Sequence, residues 1–524
     1  MTPGGARTPI FVGISGVMLV VVTAAMLVAY FPLPADDAYI VARYADQLHR
    51  GNGLVFNVGE RVNALTSPLL TWVAVTLRSI GDAPTTLYRG AAAILVVWTL
   101  LAIARKRYDG PAQQLLFLAL TLASPFVCFW TVAGLETPML LCACTALTYC
   151  ALTLDATNAA RRAAQIIGLA AVAVLLRYDS ALFVGPIAAL CLYQHWRRSP
   201  VTAVAIAAAG VIGAWLAFTY FYYGDVLPTS FYVKLGNVTT SETLGRGAGY
   251  AVSFLVLSLL AFMAIAGGFR WRERARVHWI AVALWGGLLL QLTYALVAGT
   301  QHMMYAYRLF VPYLPASVLL LMPPDRRPMT MHSATRRGLL AMVVIAYQAT
   351  IGLLFFYKSE NPNLSLLLWR QDVGQQVYEL STVGARNTKN FLQAVQGSAK
   401  DIEAHWVGLP VAKERPMRIV ALTGGMLPYL LPTAYVYEAL VSYRRQCNLD
   451  PRPAADYMQV IHSEANPKSP AELFGENAGS WTLISKHVIK ATGLEFKPYG
   501  LRVDIWYNRA PQPLMLSSRI DLPC

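Results

Sequence analysis

Stretches of about twenty apolar residues, the length that crosses a hydrocarbon layer, recur from residue 11 to residue 357, and short basic clusters separate them. That pattern leaves a chain few options. Away from water the backbone must satisfy its own polar groups, which leaves helices packed side by side in lipid. Composition agrees: 56% of the 524 residues are hydrophobic and only 14% charged, against about 25% charged in soluble domains. From about residue 358 polar residues, Pro and Gly return at soluble density. The sequence therefore predicts a membrane domain over 1–357 and a globular domain over 358–524.

A net charge of +15 would suit nucleic acid, but its placement argues otherwise. Arg105-Lys106-Arg107, Arg161-Arg162, Arg197-Arg198, Arg270 to Arg276, Arg326-Arg327 and Arg336-Arg337 all lie between apolar runs. That is the positive-inside distribution. The basicity sets orientation, and no nucleic-acid partner is expected.

The first apolar run follows Arg7 and is too long for a signal-peptide core, with no small-x-small cleavage site before Asp36. It reads as an uncleaved anchor with a cytoplasmic N-terminus. Residues 32–87 then form a large outer loop. Its apolar piece, 68–80, would invert every later basic cluster if it spanned, so it is expected to lie along the outer interface. About eleven spans follow, at 11–31, 88–104, 111–132, 138–154, 163–176, 181–195, 200–222, 248–267, 277–298, 309–323 and 337–357. An odd number places the tail outside. Strand-like stretches at 418–423, 481–489 and 501–507 make that domain mixed α/β. Cys447 and Cys524 could form a disulfide if the tail is exported, whereas the other five cysteines lie in apolar spans.

Unpaired acids point to chemistry. Asp36, Asp37, Glu136, Asp179 and Asp225 are predicted at the outer face near membrane depth, where an ionisable group costs roughly 2.5–3.5 kcal/mol and usually marks function. Arg43, Arg177, Lys234, His302 and Arg308 fall on the same side. Mixed acids and bases there suggest a site for an anionic, lipid-borne substrate.

Each residue also has a structural alternative. Asp36 could simply cap the helix after it, or the same amides could keep it ionised as a general base. Glu136 could begin the next helix, and Arg177 with Asp179 could be a mutual ion pair. Lys234 and Arg308 could snorkel or grip phosphate, while His302 suits a structural hydrogen bond. The sequence contains no Walker loop, GxSxG elbow, Rossmann glycine string or Cys/His metal pattern, which excludes the commonest nucleotide-driven chemistries.

Several motifs together resemble one family. Asp36-Asp37-Ala38-Tyr39-Ile40, Arg43-Tyr44-Ala45 and Gly51-Asn52-Gly53-Leu54-Val55-Phe56-Asn57 look like the first outer loop of GT-C glycosyltransferases of the "DDAY" type. These use polyprenyl-phosphate sugars and include arabinofuranosyltransferases and pilin arabinosyltransferases. Gly134-Leu135-Glu136-Thr137, the stretch from Gly224-Asp225 to Lys234, and Tyr307-Arg308-Leu309-Phe310-Val311-Pro312 resemble later motifs of the family. Gly299-Thr300-Gln301-His302 departs from it, since an acid often stands there. In the tail only Gly424-Gly425-Met426-Leu427-Pro428-Tyr429 is similar.

The resemblance implies an all-α polytopic fold with a mixed α/β tail outside a bacterial cytoplasmic membrane. It implies inverting transfer of a sugar, arabinofuranose favoured, from a polyprenyl-phosphate donor to a hydroxyl on an envelope glycan or a pilin-like protein. Asp36 would be the base, Asp37 an orienting or cation-binding group, and Glu136 the second-loop acid. Lys234 and Arg308, with His302 and Arg177, would face the donor phosphate. Arg43, Tyr39, Asp179 and Asp225 would lie toward the acceptor. No cofactor is required, though Asp37 and Glu136 could hold a divalent metal. A lipid-linked glycan flippase is the rival from another class; it would spread charges through mid-bilayer depth and often show inverted repeats. An adhesion protein acting through its tail is a third reading.

Overall fold

The structure, a computed structural model, describes residues 10–81, 84–231, 241–266, 278–297, 305–324, 330–357, 385–421, 424–437, 455–463, 469–474, 479–490 and 500–509. The first apolar run folds as α1 (Ile10–Tyr30), with no charged side chain in 21 residues. The outer loop carries α2 (Ala38–His49) and α3 (Pro68–Ile80). α4 (Pro84–Arg107) ends on Arg105, Lys106 and Arg107, where cations complement the carbonyl end of a helix. After it come α5 (Pro111–Thr121), α6 (Pro125–Val132), α7 (Thr137–Leu152), α8 (Ala159–Leu176), α9 (Ala181–His195) and α10 (Ser199–Tyr223). The membrane part continues with α11 (Ser241–Leu257), α12 (Leu260–Ala266), α13 (His278–Val297), α14 (Leu314–Leu321) and α15 (Met331–Tyr357).

Among the described residues six helices, α1, α4, α8, α10, α13 and α15, are long and apolar enough to cross a membrane. Ile10, Val28, Ile94, Trp98, Ile206, Phe221, Leu289 and Val343 lie exposed on them. So much bare apolar surface belongs against lipid. The chain is a multi-pass membrane protein.

The eleven uninterrupted spans expected from hydropathy do not all form. The run 111–132 breaks into α5 and α6, bent by 66°. Pro125 forces the preceding Ser124 into an extended conformation, which no helix can pass through. The run 309–323 carries three prolines, Pro312, Pro315 and Pro323, and yields a single 3-10 turn, Val311–Tyr313, before the eight-residue α14. The run 248–267 breaks between α11 and α12 at Leu259, which has φ of 63°. Hydropathy sees apolar side chains and is blind to these backbone interruptions.

The tail opens with α16 (Ala385–Val407) and forms a five-stranded sheet ordered β2-β1-β3-β5-β4. Its strands are β1 (Arg418–Val420), β2 (Tyr435–Tyr437), β3 (Tyr457–Ser463), β4 (Trp481–Lys490) and β5 (Gly500–Asn508). β1 is parallel to β2 and β3, whereas β5 is antiparallel to β3 and β4. Two short helices, α17 (Met426–Leu430) and α18 (Pro470–Phe474), connect them. Strand alternation sorts the side chains. Val503 and Ile505 join Val395 and Ile402 of α16 on one face, and Trp506 joins Phe474 and Trp481 on the other. The first face also holds Tyr44, Leu54, Phe56 and Leu65 of the outer loop. Tail and loop thus share one hydrophobic core.

Candidate active site

The site begins at a turn. Gly134, between α6 and α7, has φ of +90°, and a Cβ there would lie 3.0 Å from that of Ala38. Only glycine combines that conformation with so close an approach. Ala35 N–H donates to the Ala133 carbonyl at 2.8 Å, and the Tyr88 hydroxyl to the Leu135 carbonyl at 2.7 Å. These ties bring the Asp36-Asp37 pair beside Glu136, which precedes the first residue of α7.

Glu136 is 2% exposed. Arg308 donates to both its oxygens, at 3.1 and 3.4 Å, and Arg177 to one at 3.3 Å. Arg177 also grips Asp179 through two bonds of 2.9 and 2.8 Å, while Arg308 reaches Asp37 at 3.4 Å. The result is one chain, Asp179–Arg177–Glu136–Arg308–Asp37. Burial alone would raise the Glu136 pKa, but Arg308 and Arg177 hold it below the usual carboxylate range. Arg308 lies 5.5 Å from the Trp130 ring and follows Ala306 and Tyr307, both at positive φ. Left-handed backbone at two successive non-glycine residues is strained and held in place by its surroundings.

Asp36 takes a different partner from the one expected. The residue capping α2 is Asp37, which makes no capping bond. The Asp36 carboxylate instead accepts from the backbone amides of Gly425 at 3.0 Å and Met426 at 2.8 Å, at the start of α17 in the tail. Burial pushes its pKa up to about 6, helped by Asp37, against the pull of those two amides.

The other expected residues divide. Arg43 is 1% exposed and donates to the carbonyls of Phe56, Pro428, Leu431 and Ala434. It is a strut binding the tail to the outer loop, its fork filled by backbone carbonyls. Arg177 likewise has its guanidinium filled by carboxylates, which argues against a free grip on phosphate. The Tyr39 ring packs against that of Tyr429 at a tilt of 45°, with ring centres 5.2 Å apart. Asp225 follows α10 in a loop pinned where Thr229 N–H donates to the Asn63 carbonyl at 2.7 Å. Lys234, His302, Cys447 and Cys524 lie outside the described residues.

Asp37 and Glu136, the pair considered for a metal, converge on Arg308. Among the described residues no three His, Cys, Asp or Glu side chains gather as a metal would require. Sequence reasoning missed the tail amides, whose one signal was the glycine pair before Met426. It also passed over Arg89, an ionisable residue inside an apolar run.

The structure is similar to that of ArnT from Cupriavidus metallidurans, solved bound to undecaprenyl phosphate, which aligns over 94% of this chain and 98% of its own with a TM-score of 0.53 and 13% identity. The chain has the GT-C fold. A terminal β-(1→2)-arabinofuranosyltransferase of Mycobacterium tuberculosis is 30% identical to it over 243 residues, 42% of this chain. The match spans 37% of that relative's length. The mycobacterial arabinofuranosyltransferase AftD aligns over 40% of its own length at a TM-score of 0.43 and 14% identity, too loosely to bear on this GT-C fold. No family model matches the chain.

Proposed function

We propose that this protein is an inverting glycosyltransferase that moves a sugar from a polyprenyl-phosphate donor to an acceptor hydroxyl at the outer face of a bacterial cytoplasmic membrane. Asp36 carries the reading: a carboxyl with a pKa of about 6 at the junction of the membrane part and the tail. A base poised near working pH is half of what such a transfer needs. Asp36 takes the acceptor hydroxyl proton as that oxygen bonds to the anomeric carbon. The carbon–phosphate oxygen bond breaks, and polyprenyl phosphate departs with the electron pair. Arg308 and Glu136 hold the neighbouring charges in register. Arabinofuranose is the favoured sugar, supported by the partial identity to the arabinofuranosyltransferase. An envelope glycan is the favoured acceptor, with a pilin-like protein as the alternative.

Purified protein incubated with a panel of prenyl-phosphate sugars tests the class, and Asp36→Asn tests the base. The variant should insert normally and lose about 10²–10⁴-fold in kcat, the usual worth of a general base. Turnover near the wild-type rate would remove Asp36 from that role. Transfer should also survive chelation by EDTA, because Arg308 stands where a cation between Asp37 and Glu136 would sit. A metal requirement restored by added magnesium or manganese would contradict this.

A further inference from the structure

Arg89 is a buried cation that no acid among the described residues pairs with. It lies on the second turn of α4, 5% exposed. Its Nε donates to the Val132 carbonyl, and its guanidinium lies 4.5 Å from the Phe31 ring. Nη2 is closed off from solvent and has no hydrogen-bond partner. Among the described residues no carboxylate pairs with Arg89. Arg177 and Arg308 contrast sharply, since each is matched by acids. Three carboxylates, Asp37, Glu136 and Asp179, face those two guanidiniums, so that network is already net negative and would repel a phosphate.

Burying a guanidinium without a counter-charge is costly, and such a group persists where a ligand completes it. Position says which ligand. Arg89 lies about 8 Å along α4 from Pro84 at 1.5 Å per residue, at the end opposite Arg105, Lys106 and Arg107, where the positive-inside rule puts the outer headgroups. Its Cδ is 3.5 Å from where a Cβ on Gly134 would be, so it forms the floor under the turn that presents Glu136. Tyr39 lies within electrostatic reach of it.

We propose that Arg89 binds the phosphate monoester of an isoprenoid-phosphate lipid, supplying the donor-side cation that Arg177 and Arg308 cannot. This rests on the donor class proposed above. The planar fork of Nη1 and Nη2 suits two oxygens of one phosphate.

Binding alone tests it. Full-length protein in detergent is melted with decaprenyl phosphate, decaprenol, phosphatidylglycerol or inorganic phosphate, and dissociation constants are read from the shifts. Decaprenyl phosphate should stabilise the wild type, and the other three should not. Arg89→Met should weaken that binding 10–100-fold and Arg89→Lys about tenfold, because an ammonium keeps the charge but lacks the fork. If Arg89→Met fails to fold, Arg89→Lys decides. A folded variant that binds decaprenyl phosphate as tightly as wild type overturns the assignment while leaving the donor class intact. Equal stabilisation by phosphatidylglycerol overturns it in favour of a general anionic-lipid contact, and equal stabilisation by inorganic phosphate in favour of a free-phosphate site. A wild type indifferent to decaprenyl phosphate sinks both this assignment and the donor reading.

Discussion

Asp36 and Glu136 are two carboxyls near one another whose surroundings push them in opposite directions. Burial raises Asp36 to about 6, and two arginines hold Glu136 ionised. Divergent pairs of this kind often separate the working base from a fixed charge. As the proposed base, Asp36 would act only when deprotonated, so kcat should fall about tenfold per unit as pH drops below about 6 and level off above it. A pH–rate profile flat down to pH 4 would contradict the environment described. Glu136→Ala should leave Arg308 and Arg177 buried without their shared partner, lowering stability by about 3–5 kcal/mol in a thermal or denaturant melt. The acids themselves were legible in the sequence, because a carboxylate close to membrane depth is anomalous wherever it is written. Their partners were not. Arg43 looks the same on paper whether it faces a substrate or four backbone carbonyls, and only the fold distinguishes these.

At the scale of elements, α17 is gripped at both ends by the first outer loop. Asp36 accepts from its leading amides, and Arg43 donates to carbonyls at its trailing end. A negative group at the start of a helix and a positive one at its end both oppose its dipole favourably. Gly425 makes the fit possible: a Cβ there would fall 1.9 Å from the Asp36 carbonyl oxygen, a backbone atom that cannot rotate away. Gly425→Ala should therefore unseat α17, cost about 1–3 kcal/mol, and reduce kcat at least tenfold. The acid limb of the rate profile should also move to higher pH, because the lost amides had favoured the ionised carboxyl. Gly479→Ala, where a Cβ would meet open space, is the control and should change neither. A Gly425→Ala enzyme with an unmoved limb would mean that the amides do not tune the base. Of these elements, α1, α4, α10 and strands β4 and β5 could be read from periodicity. The 66° bend after α5 and the strands β2 and β3 could not, since prolines in apolar runs and short strands leave little pattern.

For the whole molecule, the boundary near residue 358 is a change in composition and not a seam in packing. Tyr44, Phe56 and Leu65 from the outer loop share a core with Ile402, Ile419 and Ile505 from the tail. Asn57 exchanges two bonds with Val436, at 2.9 and 3.0 Å, across the same junction. Removing the tail would strip apolar surface bare beside the Asp36 carboxyl as well as deleting a domain.

The hydrogen bonds from Gly425 and Met426 to Asp36 join residues 389 and 390 positions apart. That span has a bearing on biogenesis. The ribosome completes the aspartate early, and its amide donors only after most of the remaining chain has been translated. A nascent chain carrying every helix up to α15 would still lack the two amides that hold the Asp36 carboxyl, so the environment of the proposed base is complete only once α17 has been made.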